Sequence, residues 1–261
     1  MAYKPRGQGT IYLVGLGPGD AAYLNPGGAA ALRDCDVVVG FRGYIEMAGD
    51  LLQGKELVSM ELGQELERAA KAVDMAYEGK SVAVVSSGDP GIYGMSGPVF
   101  QVLTDRDWDG ETPRIESLPG ITAMQAAAAL LGSPLMQDFC AISLSDLMTP
   151  WETIKLRLES AAKGDFVVSL YNPRSQRRQW QLLEARRILL DHRPGDTPVG
   201  IVGDAFRPKQ RVTVTDLEHL EEVSPHIDMV TTVVIGNSTT YLHRGRVITP
   251  RGYEKKESRP A

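Results

Sequence analysis

Apolar residues recur along the chain in two patterns. Short, mostly apolar runs occur at 11–14, 37–39, 82–85, 166–170, 198–202 and 231–235. Between them lie longer stretches in which apolar residues return every three or four positions, as at Leu66, Ala69, Ala70, Val73 and Ala76. The first pattern suits strands buried on both faces, the second helices with one apolar stripe. Further strands are predicted over 114–118, 139–144 and 246–249, and 211–215 alternates as an edge strand does. Helices are predicted over 62–78, 99–103, 122–131, 151–162 and 176–191. Another opens at Asn25-Pro26, because Asn25 can cap it and Pro26 suits the first helical position.

Regular alternation of strand and helix, with strands rich in Val, Ile and Leu, implies α/β architecture: mainly parallel or mixed sheets with helices on their faces. The break at Gly132-Ser133-Pro134 suggests two α/β domains, residues 1–132 and 133–250, followed by a polar, disordered tail over 251–261.

Composition narrows the function classes. The net charge is −5, from 28 basic and 33 acidic residues, which weighs against nucleic acid as a partner. The two cysteines, Cys35 and Cys140, lie far apart in apolar surroundings and read as buried thiols. His192, His219, His226 and His243 are scattered, so no metal site is expected. The first nine residues lack the apolar core of a leader, and no run reaches the roughly 18 apolar residues of a membrane span. The expectation is a cytoplasmic protein with no membrane partner.

The chemistry concentrates in loops that follow strands, where open α/β sheets bind ligands. Gly15-Leu16-Gly17-Pro18-Gly19-Asp20 looks at first like a phosphate loop. Pro18 removes a donor from its middle, and Asp20 stands where a third glycine belongs and would repel pyrophosphate. The loop therefore reads as a plain tight turn or as a wall facing another ligand. Ser86 to Gly94 and Pro119 to Ala123 also lie at strand ends, as do Leu170 to Ser175 and Val202 to Arg207. Each alone could be a well-capped turn, with Thr122 for instance capping the next helix. Five such loops from both halves suggest a small-molecule cleft between the domains.

Taken together, these segments resemble the tetrapyrrole methylases, the class III S-adenosylmethionine methyltransferases. The resemblance covers roughly residues 9–250 and rests on the Gly-x-Gly-Pro-Gly-Asp loop, the Gly-Asp-Pro loop at 88–90 and Pro-Gly-Ile-Thr at 119–122, in that order. Segments 144–151, 171–175 and 236–240 are similar to the branch that methylates precorrin-3B at C17 and contracts the ring in cobalamin synthesis. The resemblance implies two α/β domains, S-adenosylmethionine folded in the interdomain cleft and leaving as S-adenosylhomocysteine, a tetrapyrrole substrate, and a homodimer. It matches Pro18, Ser87, Gly88, Asp89, Ile92, Thr122, Ala123, Tyr171, Asn172, Asp204 and Ala205 to the methyl donor. Related uroporphyrinogen methylases carry an aspartate base shortly after the second strand, where this chain has Phe41.

A sulfonium donor needs mainly a positioned carbon nucleophile, so neither a metal nor a covalent enzyme intermediate is expected. Asp20 and Tyr93 are the candidates for proton handling, and Arg207 for a catalytic charge. The substrate's carboxylates call for arginine, with Arg42, Arg174, Arg177, Arg178, Arg207 and Arg211 as candidates. Arg177 and Arg178 read equally as the solvated face of the 176–191 helix. A methylase of the same fold acting on RNA, or a non-catalytic tetrapyrrole-binding module, are the competing readings.

Overall fold

A computed structural model describes residues 9–253, so the tail expected over 251–261 lies, from residue 254 on, outside the described residues. The chain divides into two units, Met1–Thr122 and Ala123–Ala261.

The first unit alternates strand and helix: β1 (Thr10–Gly15), α1 (Pro26–Asp34), β2 (Val37–Phe41), α2 (Arg42–Ala48), β3 (Glu56–Met60), α3 (Glu65–Tyr77), β4 (Ser81–Ser86), α4 (Ser96–Asp105) and β5 (Arg114–Leu118). Asn25 caps α1 as expected, its side-chain oxygen accepting from the Gly28 amide at 2.7 Å. The strands form one sheet in the order β3-β2-β4-β1-β5, and every pairing is parallel. Alternate residues face opposite sides. Ile11, Leu13, Val82 and Val84 pack under α3 and α4, while Val14, Val38, Ala83 and Val85 pack under α1 and the segment after β2. The neighbours β1 and β4 thus send their helices to opposite faces. That is a switch point, the place where open α/β sheets bind ligands at the strands' carboxyl ends.

The second unit comprises α5 (Ala123–Leu131), β6 (Gly132–Ser133), β7 (Phe139–Ser143), α6 (Trp151–Lys163), β8 (Val167–Tyr171), α7 (Gln181–Leu190), β9 (Pro198–Gly203), β10 (Arg211–Asp216), α8 (Leu220–Val223), β11 (Thr231–Ile235), β12 (Tyr241–His243) and β13 (Arg246–Ile248). Its main sheet runs β10-β9-β11-β8-β7. Only β7 and β8 pair in parallel, and β11 is antiparallel to both β8 and β9. β7, β8 and β9 therefore end at the same edge. Helices α6 and α7 cover one face, and Ala127 and Leu131 of α5 pack on Val167, Val202 and Val234 of the other.

The division falls before α5 rather than at Gly132-Ser133-Pro134, because α5 packs on the second sheet. Gly132 and Ser133 themselves pair with Val247 and Ile248. Four elements had no signal that the apolar pattern could supply: β3 and β12 are largely exposed, and α2 and α8 are short. The predicted 176–191 helix begins only at Gln181, since a closed turn occupies 175–178: the Ser175 amide donates to the Arg178 carbonyl at 2.8 Å, and the Arg178 amide to the Ser175 carbonyl at 3.2 Å. Among the described residues no helix is long and apolar enough to cross a membrane.

Gly200 in β9 lets α5 approach the sheet. A Cβ there would stand 2.4 Å from Leu131 Cδ1 and 2.5 Å from Cδ2. Gly200→Ala is expected to cost about 1–3 kcal/mol of stability through overpacking. Urea unfolding checks this, and an unchanged midpoint would mean that the contact has slack.

Candidate functional site

Three loops of the first unit cross at their backbones. Beyond β1 and β4 the parallel ladder runs on to the Leu16 amide, which donates to the Ser86 carbonyl at 2.9 Å. Gly17 and Gly88 then exchange amide-to-carbonyl bonds of 3.1 and 2.8 Å. Both have positive φ, +67° and +66°, where L side chains are strained. The Pro119-Gly120 turn after β5 closes on this pair. A Cβ on Gly120 would lie 2.1 Å from the Gly88 carbonyl oxygen, and one on Gly15 would lie 2.6 Å from the Gly120 nitrogen. No residue larger than glycine fits either place without moving backbone.

Polar side chains hold the crossing from two sides. Asp89 uses both carboxylate oxygens: Oδ1 accepts from the Gly91 amide at 2.8 Å and Oδ2 from the Gly120 amide at 3.0 Å. The Asn25 side-chain amide donates to the Pro119 carbonyl. Pro18 is buried and Ser87 half-buried at the crossing, whereas Ile92 and Tyr93 are exposed at 36% and 56%. Asp20 is exposed and caps a 3₁₀ turn over Ala21–Tyr23, accepting from the Ala22 amide at 2.8 Å. Thr122 is buried at the end of this unit and lies outside α5.

In the second unit, Tyr171, Asn172, Asp204 and Ala205 sit at or just beyond the ends of β8 and β9. Ala123 opens α5, and the next amide, that of Met124, donates to the Tyr171 hydroxyl at 3.0 Å. Asn172 and Asp204 are left-handed, with φ of 51° and 49°, and so are Tyr93 at 55° and Phe206 at 57°. Non-glycine residues in this region cost energy and cluster where structure is made for binding.

Arg178 is neither a solvated helix residue nor a free carboxylate ligand. It precedes α7 and is 6% exposed. Nη1 donates to the Asn172 carbonyl at 2.9 Å and Nη2 to Ser145 Oγ at 3.4 Å, with Asp146 Oδ1 3.9 Å from Nε. Burial lowers its pKa, and the Asp146 carboxylate pushes it back up. The other arginine candidates are partnered in varying degree. Arg42 stands 3.7 Å from Glu61, both exposed. Arg174 donates to the Ser224 carbonyl at 2.6 Å, and Arg211 to Asp228 at 2.8 Å. Arg207 faces Asp204 at 3.8 Å, and Arg177 is exposed. Phe41 meets Tyr44 edge-on at 5.2 Å, an aromatic contact where a base would need water or a polar partner.

Sequence reasoning did not count the loop after β7 among the strand-end loops. Yet Ser143 Oγ accepts from the Asn172 side chain at 3.0 Å, and Gln181 donates to Asp146 at 3.0 Å. The strand-end rule applied to β7 would have found this loop; nothing in the apolar pattern marks Gln181 or Asn25 as partners.

Residues 10–221 match the sequence profile of the Tetrapyrrole (Corrin/Porphyrin) Methylases. The chain is 45% identical over 250 residues to a cobalt-factor III methyltransferase of Priestia megaterium, covering 95% of this chain but only 46%, about half, of that protein. It is 38% identical to a precorrin-3B C(17)-methyltransferase of Sinorhizobium, covering 94% of this chain and 97% of that one. Among solved structures, the crystal structure of the methyltransferase CobJ superposes with a TM-score of 0.87 at 38% identity, covering 93% of this chain and all of that one.

Asp89→Asn would set an NH₂ group against the Gly120 or the Gly91 amide, donor facing donor. The expected cost is about 1–3 kcal/mol, from a lost charge-assisted bond and an unsatisfied amide. Denaturant unfolding reads it, and wild-type stability in this variant would remove Asp89 as the tie across the crossing.

Proposed function

The chain belongs to the tetrapyrrole (corrin/porphyrin) methylases, and from that premise we propose that it methylates a corrin precursor at C17 with contraction of the ring, in cobalamin synthesis. The substrate is precorrin-3B or its cobalt-bearing counterpart, cobalt-factor III, the two named for the relatives in Sinorhizobium and Priestia. The observation that carries this reading is the glycine crossing at the β1–β4 switch point, inside the segment that matches the family.

S-adenosylmethionine, when bound, supplies a methyl group already activated as a sulfonium. The proposed donor contacts are Pro18, Ser87, Gly88, Asp89, Ile92 and Thr122 in the first unit, and Ala123, Tyr171, Asn172, Asp204 and Ala205 in the second. The residues fit such a ligand. The crossing brings three strand-end loops together with no side chains between them, Ile92 offers exposed apolar surface, and left-handed residues redirect backbone polar groups at the strand ends. Asp89 acts mainly by fixing the loop, since both its oxygens already accept amides.

The chain's contribution to rate is chiefly orientation, which supplies up to about 7–11 kcal/mol in ideal cases. Arg207 and Arg211, near the end of β9, are suited to the carboxylates at the substrate's rim, each sharing its charge with Asp204 at 3.8 Å. Tyr93 and Asp20 remain the residues proposed to handle a proton or make a polar contact during contraction. A homodimer in the cytoplasm completes the proposal, and sedimentation tests the assembly.

The reaction is tested by incubating the protein with S-adenosylmethionine and, separately, precorrin-3B and cobalt-factor III. A mass gain of one methyl with either supports the reading, and none with both overturns it. Asp20→Asn keeps a good cap but removes the charge. If Asp20 handles a proton, kcat falls by about 10²-fold or more while S-adenosylhomocysteine affinity holds; unchanged turnover would remove Asp20 from the mechanism.

A further inference from the structure

The loop after β7 carries the two most exposed large apolar side chains among the described residues, Leu147 at 81% and Met148 at 92%. Apolar groups this exposed usually belong to mobile segments. This loop is instead pinned on both sides of the pair. The Leu144 amide donates to the Tyr171 carbonyl at 2.9 Å, extending the β7–β8 pairing past the strand, and Leu144 is fully buried. The Ser145 amide donates to Ser143 Oγ at 3.2 Å, and buried Arg178 reaches Ser145 Oγ. Asp146 accepts from Gln181 and faces Arg178. On the far side Pro150 leads directly into α6, its carbonyl accepting from the Thr153 amide at 3.0 Å. Leu144, Ser145 and Asp146 are thus anchored on one side and Pro150 on the other, and the apolar pair is left at the tip.

The same anchors tie the loop to the candidate site. Ser143 Oγ, which receives the Ser145 amide, also receives the Asn172 side chain, and Arg178 binds the Asn172 carbonyl. The apolar tip therefore stands on the strand edge that presents Tyr171 and Asn172.

We propose that Leu147 and Met148 form an apolar lip that packs on the face of the tetrapyrrole and sets selectivity for the macrocycle. This rests on the function proposed above. A carboxylated macrocycle presents a broad apolar ring surface between carboxylate arms that leave from its edge. A stiff ledge carrying one branched and one flexible apolar side chain suits the face, as arginines suit the rim. The stiffness matters because the backbone on both sides of the pair is held before the substrate arrives, so less backbone freedom is lost on binding.

The test is the double variant Leu147→Ser/Met148→Ser. The proposal expects tetrapyrrole KM to rise by about tenfold or more, S-adenosylhomocysteine Kd to stay within about twofold, and the swap Leu147→Met/Met148→Leu to restore KM. The thermal midpoint is expected to be unchanged, because the replaced side chains bury little. Unchanged tetrapyrrole KM overturns the proposal. So does a parallel loss of S-adenosylhomocysteine affinity or of thermal stability, which would mark the pair as structural. A change in sedimentation with KM unaltered also overturns it, in favour of self-association. If the wild type binds cobalt-factor III, read by absorbance, but transfers no methyl, the reaction fails and the lip is judged by that Kd. If the wild type binds no tetrapyrrole, both fail.

Discussion

The first unit depends on how closely three backbones approach one another. Gly15, Gly88 and Gly120 come from loops far apart in sequence, yet a single added Cβ at Gly120 would lie 2.1 Å from the Gly88 carbonyl oxygen. Such proximity brings hydrogen-bonding backbone groups to one place without intervening side chains. It follows from the sheet order, because β1 stands between β4 and β5 and the three strands end together. Pro18 and Asp20, which spoil the first loop as a phosphate cradle, are compatible with this geometry. Pro18 is buried where no amide is required, and Asp20 caps a short turn.

The second unit solves the same problem with a charge. Its strand ends are tied by the Arg178 guanidinium, which reaches the Asn172 carbonyl, Ser145 and the side of Asp146. A buried guanidinium is costly unless its donors are met; here Nη1 and Nη2 are met while Nε has only the Asp146 charge 3.9 Å away, and removing the group would take a donor from the Asn172 carbonyl and from Ser145. Glycine packing fixes backbone position. The arginine instead fixes side chains and a loop together, including Asn172 in its left-handed conformation. The Tyr171 hydroxyl adds the start of α5 to the same edge.

Much of this was legible in the sequence. The strands at 82–85 and 231–235 match the apolar runs that predict them, since both faces of those sheets are covered there. Strand direction was not legible. Thr231–Ile235 is buried throughout and reads like a parallel strand, yet it is antiparallel to both neighbours, because burial on both faces imposes the same residues whichever way a strand runs. The exposed β3 and β12 left no apolar trace. The strand-end rule found five of the loops and passed over the one after β7, whose message lies in Leu147 and Met148. Arg178 resisted for a different reason: a charged residue near a predicted helix looks solvated, and only tertiary contact shows that a turn at 175–178 buries it.

If the glycine crossing makes the donor site, disturbing it must remove donor binding before it removes the fold. Calorimetric titration of S-adenosylhomocysteine into Gly120→Ala, with circular dichroism confirming native secondary structure, measures this. The account predicts an affinity weakened by about 10²-fold or more, since the backbone must shift by the better part of an ångström. Wild-type affinity in a folded Gly120→Ala would contradict it.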